Sequence, residues 1–169
     1  MILQILFFIV FLLVASMAYA SWRGAPWVPT KTRDVVRMAK LANLQSADRF
    51  VELGCGTGNV SRYLASHSSA KIFGVELSLV QWFAARVLAR DLSNSPTFIL
   101  ADAFHHDLSS YNVVYLFLMP DTYKKISPKL KAELKPGSRV ISYVWPIADW
   151  TATTVDHIEG SPDLFLYTI

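Results

Sequence analysis

The densest run of residues that could do chemistry is Glu52-Leu53-Gly54-Cys55-Gly56-Thr57-Gly58. Glycines at alternate positions let the backbone turn sharply and pass against a ligand with no Cβ in the way. A helical pattern starts immediately afterwards, and the free N–H groups of a helix start suit a carboxylate. Glu52, two residues before the first glycine, places an acid where it can face a cationic ammonium group. Two further acids follow at comparable points, Glu76 after Phe73-Gly74-Val75 and Asp102 before Ala103 and Phe104. A carboxylate at Glu76 can accept both hydroxyls of a ribose. One at Asp102 can accept an adenine amino proton, while the adjacent backbone N–H of Ala103 meets a ring nitrogen. Three acids and a glycine loop together make a joint signal for one ligand site.

Such residues meet only if strands and helices bring them to one edge. Short apolar runs at 49–53, 71–75, 97–101, 112–118 and 139–144 read as strands. Helical patterns separate them, through Tyr63, Leu64 and Ala65, from about Ser78 to Asp91, and from about Pro120 to Leu134. Strands of that length alternating with helices predict parallel strands covered on both faces. Residues 153–158 and 164–169, around Gly160-Ser161-Pro162, predict a closing β-hairpin. The expected fold is α/β, a doubly wound, Rossmann-like, mostly parallel sheet, and its ligands bind at the carboxyl ends of the strands where the order reverses. Each acid and the glycine loop falls at such an end.

Upstream of the sheet, residues 2–20 carry no charge, and the first is Arg23. As a helix the stretch would span roughly 28 Å, close to the hydrocarbon thickness of a bilayer. Ala18-Tyr19-Ala20 has the small-residue look of a signal-peptidase site. However, no basic region precedes the apolar run, which is longer than the usual signal core. Arg23, Lys31, Arg33, Arg37 and Lys40 follow it instead, against the single acid Asp34. The reading is one N-terminal transmembrane anchor over residues 1–22, with the domain of residues 23–169 on the cytoplasmic side of the membrane. Ser21 to Pro29 reads as an extended linker because two prolines forbid a helix there. Thr30 is expected to cap a helix with apolar positions Val35, Val36, Met38, Ala39 and Leu41.

The single cysteine, Cys55, excludes an internal disulfide, and a net charge of +3 is mild. No cluster of basic and aromatic residues marks a nucleic-acid surface, so no nucleic-acid partner is expected. His105 and His106 are adjacent and have no second ligand pair, so no metal is expected either.

A dinucleotide fingerprint would need its third glycine one place later, at Asn59. The observed spacing, with an acid two residues before it, is that of an S-adenosylmethionine site. On these residues the chain resembles class I S-adenosylmethionine-dependent methyltransferases. More closely it resembles the small protein-lysine N-methyltransferases of archaea and their relatives in mitochondrial membranes. Pro26-Trp27-Val28-Pro29-Thr30, Gly74-Val75-Glu76-Leu77, the run from Tyr115 to Pro120 and that from Pro128 to Ser142 are similar to motifs of that family. The resemblance implies S-adenosyl-L-methionine as cofactor and a protein substrate. Ser78 stands where the family often has Asn, and Thr57 where it often has Asp.

Phe117-Leu118-Met119-Pro120, at the end of the fourth strand, offers no side-chain acceptor for a base amino group. An apolar wall suits the aliphatic stem of a lysine, or the methylenes of a lipid headgroup. Trp27, as a lid, and Tyr143 and Trp145, at the end of strand five, are the candidate aromatic lining of an acceptor slot. The rival readings are a methyltransferase acting on a lipid or small amine, and a non-catalytic membrane module that binds the same cofactor.

Overall fold

The computed structural model describes all 169 residues. Seven strands form one sheet in the order β3-β2-β1-β4-β5-β7-β6. They are β1 Arg49–Leu53, β2 Lys71–Glu76, β3 Thr97–Leu100, β4 Val113–Leu116, β5 Arg139–Tyr143, β6 Thr154–Asp156 and β7 Leu164–Thr168. The first five are parallel, with Glu52 level with Gly74 on one side and Tyr115 on the other. The expected terminal hairpin is present, β6 and β7 pairing antiparallel and β7 adding to β5.

The helices are α1 Ile2–Arg23, α2 Thr32–Ala42, α3 Asn59–His67, α4 Leu79–Ala89 and α5 Pro120–Glu133. Val35, Met38 and Ala42 recur at helical spacing and bury one face of α2 beside Val60 and Leu64 of α3, over Phe50, Val113 and Ile141. Asn43 ends α2 in the left-handed conformation (φ 44°), its N–H donating to the Ala39 carbonyl. On the opposite face Tyr123, Ile126 and Leu130 of α5 pack on Val51, Val114 and Val140. Neighbouring strand residues thus point to opposite layers, which is why these strands read as continuous apolar runs. A third cluster joins α4, through Ala85 and Ala89, to Cys55 and Phe98.

Two local expectations are corrected. The linker starts later than Ser21, because nothing before Gly24 stops a helix and α1 continues to Arg23. Thr30 does not cap α2, whose N-cap is Lys31 with no side-chain bond. Thr30 is buried instead, and its hydroxyl lies 3.1 Å from the phenol oxygen of Tyr115. A buried phenol without that partner would incur an unmet hydrogen bond.

Candidate active site

The strand order reverses between β1 and β4, and a cleft opens there. It encloses about 970 Å³ of empty space, part of it open to solvent. Its walls are the ends of β1, β2 and β4, the loop after β3, and the segment from Arg23 to Thr30.

Gly56 and Gly58 adopt φ of 54° and 72°, the left-handed region that favours glycine. At Gly58, the N-cap of α3, a Cβ would sit 2.5 Å from Phe98 Cζ; at Gly56 it would sit 2.6 Å from the Trp27 indole. The loop is therefore shaped by close packing on both sides. Glu76 ends β2 and fixes the loop further. The Gly56 N–H donates to its Oε2 at 2.8 Å and the Ser78 N–H to its Oε1 at 2.7 Å. Burial pushes the Glu76 carboxyl up, opposed by these backbone donors. Each oxygen keeps a lone pair for a ligand hydroxyl.

Glu52 is buried, and both of its hydrogen bonds, from the Ser61 N–H (3.0 Å) and hydroxyl (2.6 Å), fall on Oε2. Burial pushes its carboxyl up to about 8, with the Ser61 bonds opposing and the charge of Glu76 adding to the rise. Oε1 is left for a cation, which would hold the carboxylate in its charged form.

Asp102 lies further along the same sheet edge, one strand beyond Glu76, with Ala103 beside it; the Ala101 N–H donates to the Glu76 carbonyl at 3.0 Å. The Phe104 N–H donates to its Oδ1 at 2.9 Å, and Arg23 Nη2, from the last turn of α1, donates to its Oδ2 at 2.7 Å. Burial raises the Asp102 carboxyl, but the bonds from Arg23 and Phe104 hold it below the usual range. The Arg23 guanidinium also lies over the Phe104 ring, 5.2 Å from its centroid.

The structure thus brings together Glu52, Gly54, Gly56, Glu76, Asp102, Ala103 and Trp27 along one cleft, with Gly58 behind it at the start of α3. It does not bring Tyr143 or Trp145 there. The Tyr143 ring is buried on the α2 side, where its hydroxyl donates to Asp34 Oδ2 at 2.8 Å. It touches the site only by stacking edge-on against Phe117, 4.8 Å between centroids, and it is Phe117 that lines the cleft. Val144 adopts φ 74°, a strained conformation for a β-branched residue, and it separates Tyr143 from the half-exposed Trp145 outside the cleft. Neither His105 nor His106 lines the cleft, although His105 Nδ1 lies 3.4 Å from Asp102 Oδ2; His106 Nε2 lies 2.9 Å from the Tyr111 hydroxyl.

Sequence reasoning missed Arg23 and the way its neighbours are clamped. The Gly24 carbonyl accepts from Thr122 Oγ1 at 2.7 Å, and the Thr30 carbonyl accepts from Asn59 Nδ2 at 2.8 Å. The segment between α1 and α2 is therefore tied to α5 at one end and α3 at the other, with Trp27 over the glycine loop. As the first charge after an apolar run, Arg23 reads as topogenic, and no spacing points from it to a partner 79 positions on.

Residues 52–154 match the model of the ANTKMT methyltransferase domain. A protein-lysine N-methyltransferase of Saccharolobus islandicus is 30% identical over 150 residues, covering 85% of this chain and 93% of that protein. The chain belongs to this methyltransferase family. A human ATP synthase lysine N-methyltransferase is 27% identical over 137 residues, and the match spans 57% of its length. Among solved structures, an RNA methyltransferase from Salinibacter ruber, in complex with S-adenosyl-L-homocysteine, superposes with a TM-score of 0.80. It is 30% identical, with 84% of this chain and 94% of that one covered.

As a member of the ANTKMT methyltransferase family the protein is an enzyme, and its cofactor is S-adenosyl-L-methionine. The cleft fits that group: it has a free Glu52 oxygen, open lone pairs on Glu76, and a glycine loop between them over which Trp27 packs. The cofactor, when bound, supplies a methyl group on a sulfonium sulfur. The protein's share is to position the acceptor, exclude water and let the acceptor shed its proton.

Proposed function

We propose that the protein is a membrane-anchored protein-lysine N-methyltransferase. Residues 1–22 form the anchor, residues 23–169 the catalytic domain, and that domain faces the cytoplasm. In this reading Glu52 holds the cationic end of the cofactor, Gly54 and Gly56 form the loop beside it with Gly58 supporting that loop from behind, Glu76 takes the ribose, and Asp102 with Ala103 takes the adenine.

The observation that carries the lysine assignment is the acceptor side of the cleft. Phe117 and Leu118, after β4, line the cleft together with the half-exposed Trp27, and this strand end has no side-chain acceptor of its own that would select a base amino group. A lysine stem fits such a slot. A lysine ammonium, with an ordinary pKa of about 10.4, must lose a proton before its nitrogen can attack, and apolar burial lowers that pKa. The names of the archaeal and human relatives support the same acceptor. Support for the anchor comes from α1, which is 22 residues long with a mean hydropathy of 2.5 over its most apolar window and no buried residue.

A lipid or small-amine acceptor is the second reading, favoured by Met17 and Ala20 of α1, which line the cleft. The test incubates the detergent-solubilised chain with methyl-labelled cofactor and its own membrane and cytosol fractions. Label in a discrete protein band, lost in Glu76→Ala, is the expected result. Label in lipid would replace lysine with the second reading, and label in RNA would overturn both. Trp27→Ala is expected to lower turnover more than cofactor binding; unchanged turnover would remove the lid role.

A further inference from the structure

On the reading that α1 enters a membrane, its seat on the domain poses a length problem. Leu13, Ser16, Ala20, Ser21 and Arg23 are its partly covered positions above the linker, one stripe at helical spacing, while residues 1–12 are all exposed. The free part is about 18 Å long at ~1.5 Å per residue, against a hydrocarbon core of about 30 Å. With α1 seated as observed, the missing length comes from the turns between Leu13 and Ala20. Those turns lie against α4, where the Leu79 N–H donates to Ser16 Oγ at 3.1 Å.

From Leu79 onward α4 exposes apolar side chains that the fold leaves uncovered. Leu79, Phe83 and Val87 follow one another at four-residue intervals, 42%, 63% and 42% exposed, with Leu88 beside them at 53%. Arg86 and Arg90 are exposed on the same helix; Arg86 lies over the Trp82 ring and Arg90 pairs with the exposed Asp91. An apolar stripe flanked by arginines matches a helix lying in a bilayer interface, with guanidiniums reaching anionic headgroups.

We propose that the outer stripe of α4, continuous with α1, is a membrane-docking face that sinks into an anionic lipid surface alongside the anchor. The domain then lies against the bilayer instead of hanging from a tether, and the cleft, which α1 itself lines, opens close to the headgroups. Substrates within reach are those presented at the membrane surface.

The test uses the full-length chain in phosphatidylcholine–phosphatidylglycerol vesicles. An environment-sensitive fluorophore is attached through Phe83→Cys, or through Val87→Cys as a second variant on the same stripe, and through Phe7→Cys on α1. The native Cys55 is buried and escapes labelling. With lipids carrying a nitroxide on the acyl chain, emission from positions 7 and 83 is expected to fall by more than half. Charge reversal by R86E and R90E is expected to weaken quenching at 83 and not at 7. Quenching at 7 with a bright, water-exposed probe at 83 and 87 would overturn the docking face and leave the anchor intact. No quenching at either site would defeat the anchor reading, and the docking face with it. A shielded but unquenched 83 in particles of doubled protein mass would assign the stripe to a second copy of the chain.

Discussion

At the end of β2, Glu76 is bonded by backbone N–H groups two and twenty residues away, all within the β1–α3 and β2–α4 turns. At the end of the neighbouring β3, Asp102 is bonded by Arg23, 79 positions earlier on a helix with no buried residue. The glycine-loop wall is bonded by its own strand ends and packed by Trp27 of the linker, with no hydrogen bond from α1. The Asp102 wall is completed by α1 and so depends on where that helix sits. The same fold thus carries a rigid half-site and a half-site whose state is linked to the N-terminal helix.

The sharpest way to break the rigid half is Glu76→Ala. It leaves the Gly56 and Ser78 N–H groups without their acceptor and removes the proposed ribose partner. Unmet buried donors cost about 1–3 kcal/mol each, so stability is expected to fall by about 2–4 kcal/mol and cofactor affinity by roughly 100-fold or more. Denaturant melts and calorimetric titration measure the two. A fall confined to affinity would show that Glu76 binds ligand without organising the loop. Gly58→Ala probes the same wall through geometry alone. A left-handed alanine costs about 1–2 kcal/mol, and its Cβ would strike the Phe98 ring. A loss of about 2–4 kcal/mol is expected, with part of the clash, but none of the backbone strain, relieved by adding Phe98→Leu.

The difference between the walls also explains what could be read from sequence. Glu52, the three glycines and Glu76 were legible because strand ends and turns demand particular residues locally; the sheet was legible because each strand is an apolar run. Asp102 was placed by its strand end, yet its partner was invisible. Trp27 was placed by a motif, while Tyr143 and Trp145 were expected in the slot only because they end β5. Sequence does not show that the Tyr143 phenol is spent on Asp34, which Arg37 also binds (2.9 Å), or that Val144 lies left-handed between the two aromatics. Thr30 reads as a helix cap from its residue type, and only the burial of Tyr115 reveals its other use. What was missed depends on groups that meet across long separations.

Titration sharpens the comparison next. The Glu52 carboxyl, ordinarily near 4.5 in an unfolded chain, stands at about 8 in the fold. Between those values the folded state binds the extra proton, so this group makes stability fall as pH rises, by at most about 1.4 kcal/mol per pH unit. Glu52→Gln is expected to flatten the decline between pH 5.5 and 8, read from denaturant melts of the two proteins without cofactor. An unaltered slope would assign the decline to other groups, Glu76 foremost. Asp102, held low by Arg23 and Phe104, has the opposite sign: its contribution is present above the ordinary carboxylate pKa and is lost as pH falls through the lowered folded value.

The smallest effect is expected at Arg23, and it separates two meanings of the Asp102 wall. If the guanidinium competes with adenine for Asp102 Oδ2, removing it frees an acceptor at the loss of a partly exposed ion pair, itself worth about 0–1 kcal/mol. Arg23→Ala would then tighten cofactor binding by about threefold, while Asp102→Asn weakens it by about tenfold. If Arg23 is instead a fixed part of the wall, stacked on Phe104, both substitutions weaken binding. The competitive outcome is the one expected, because Oδ1 already accepts from Phe104 and Oδ2 has both Arg23 and His105 beside it, so an adenine amino group meets a crowded carboxylate. It carries a consequence for the rigid half as well: Glu76→Ala should show the same fractional loss of affinity with and without Arg23. Non-additivity between them would mean that α1 reaches the glycine loop too, through Trp27, and that the two walls act as one.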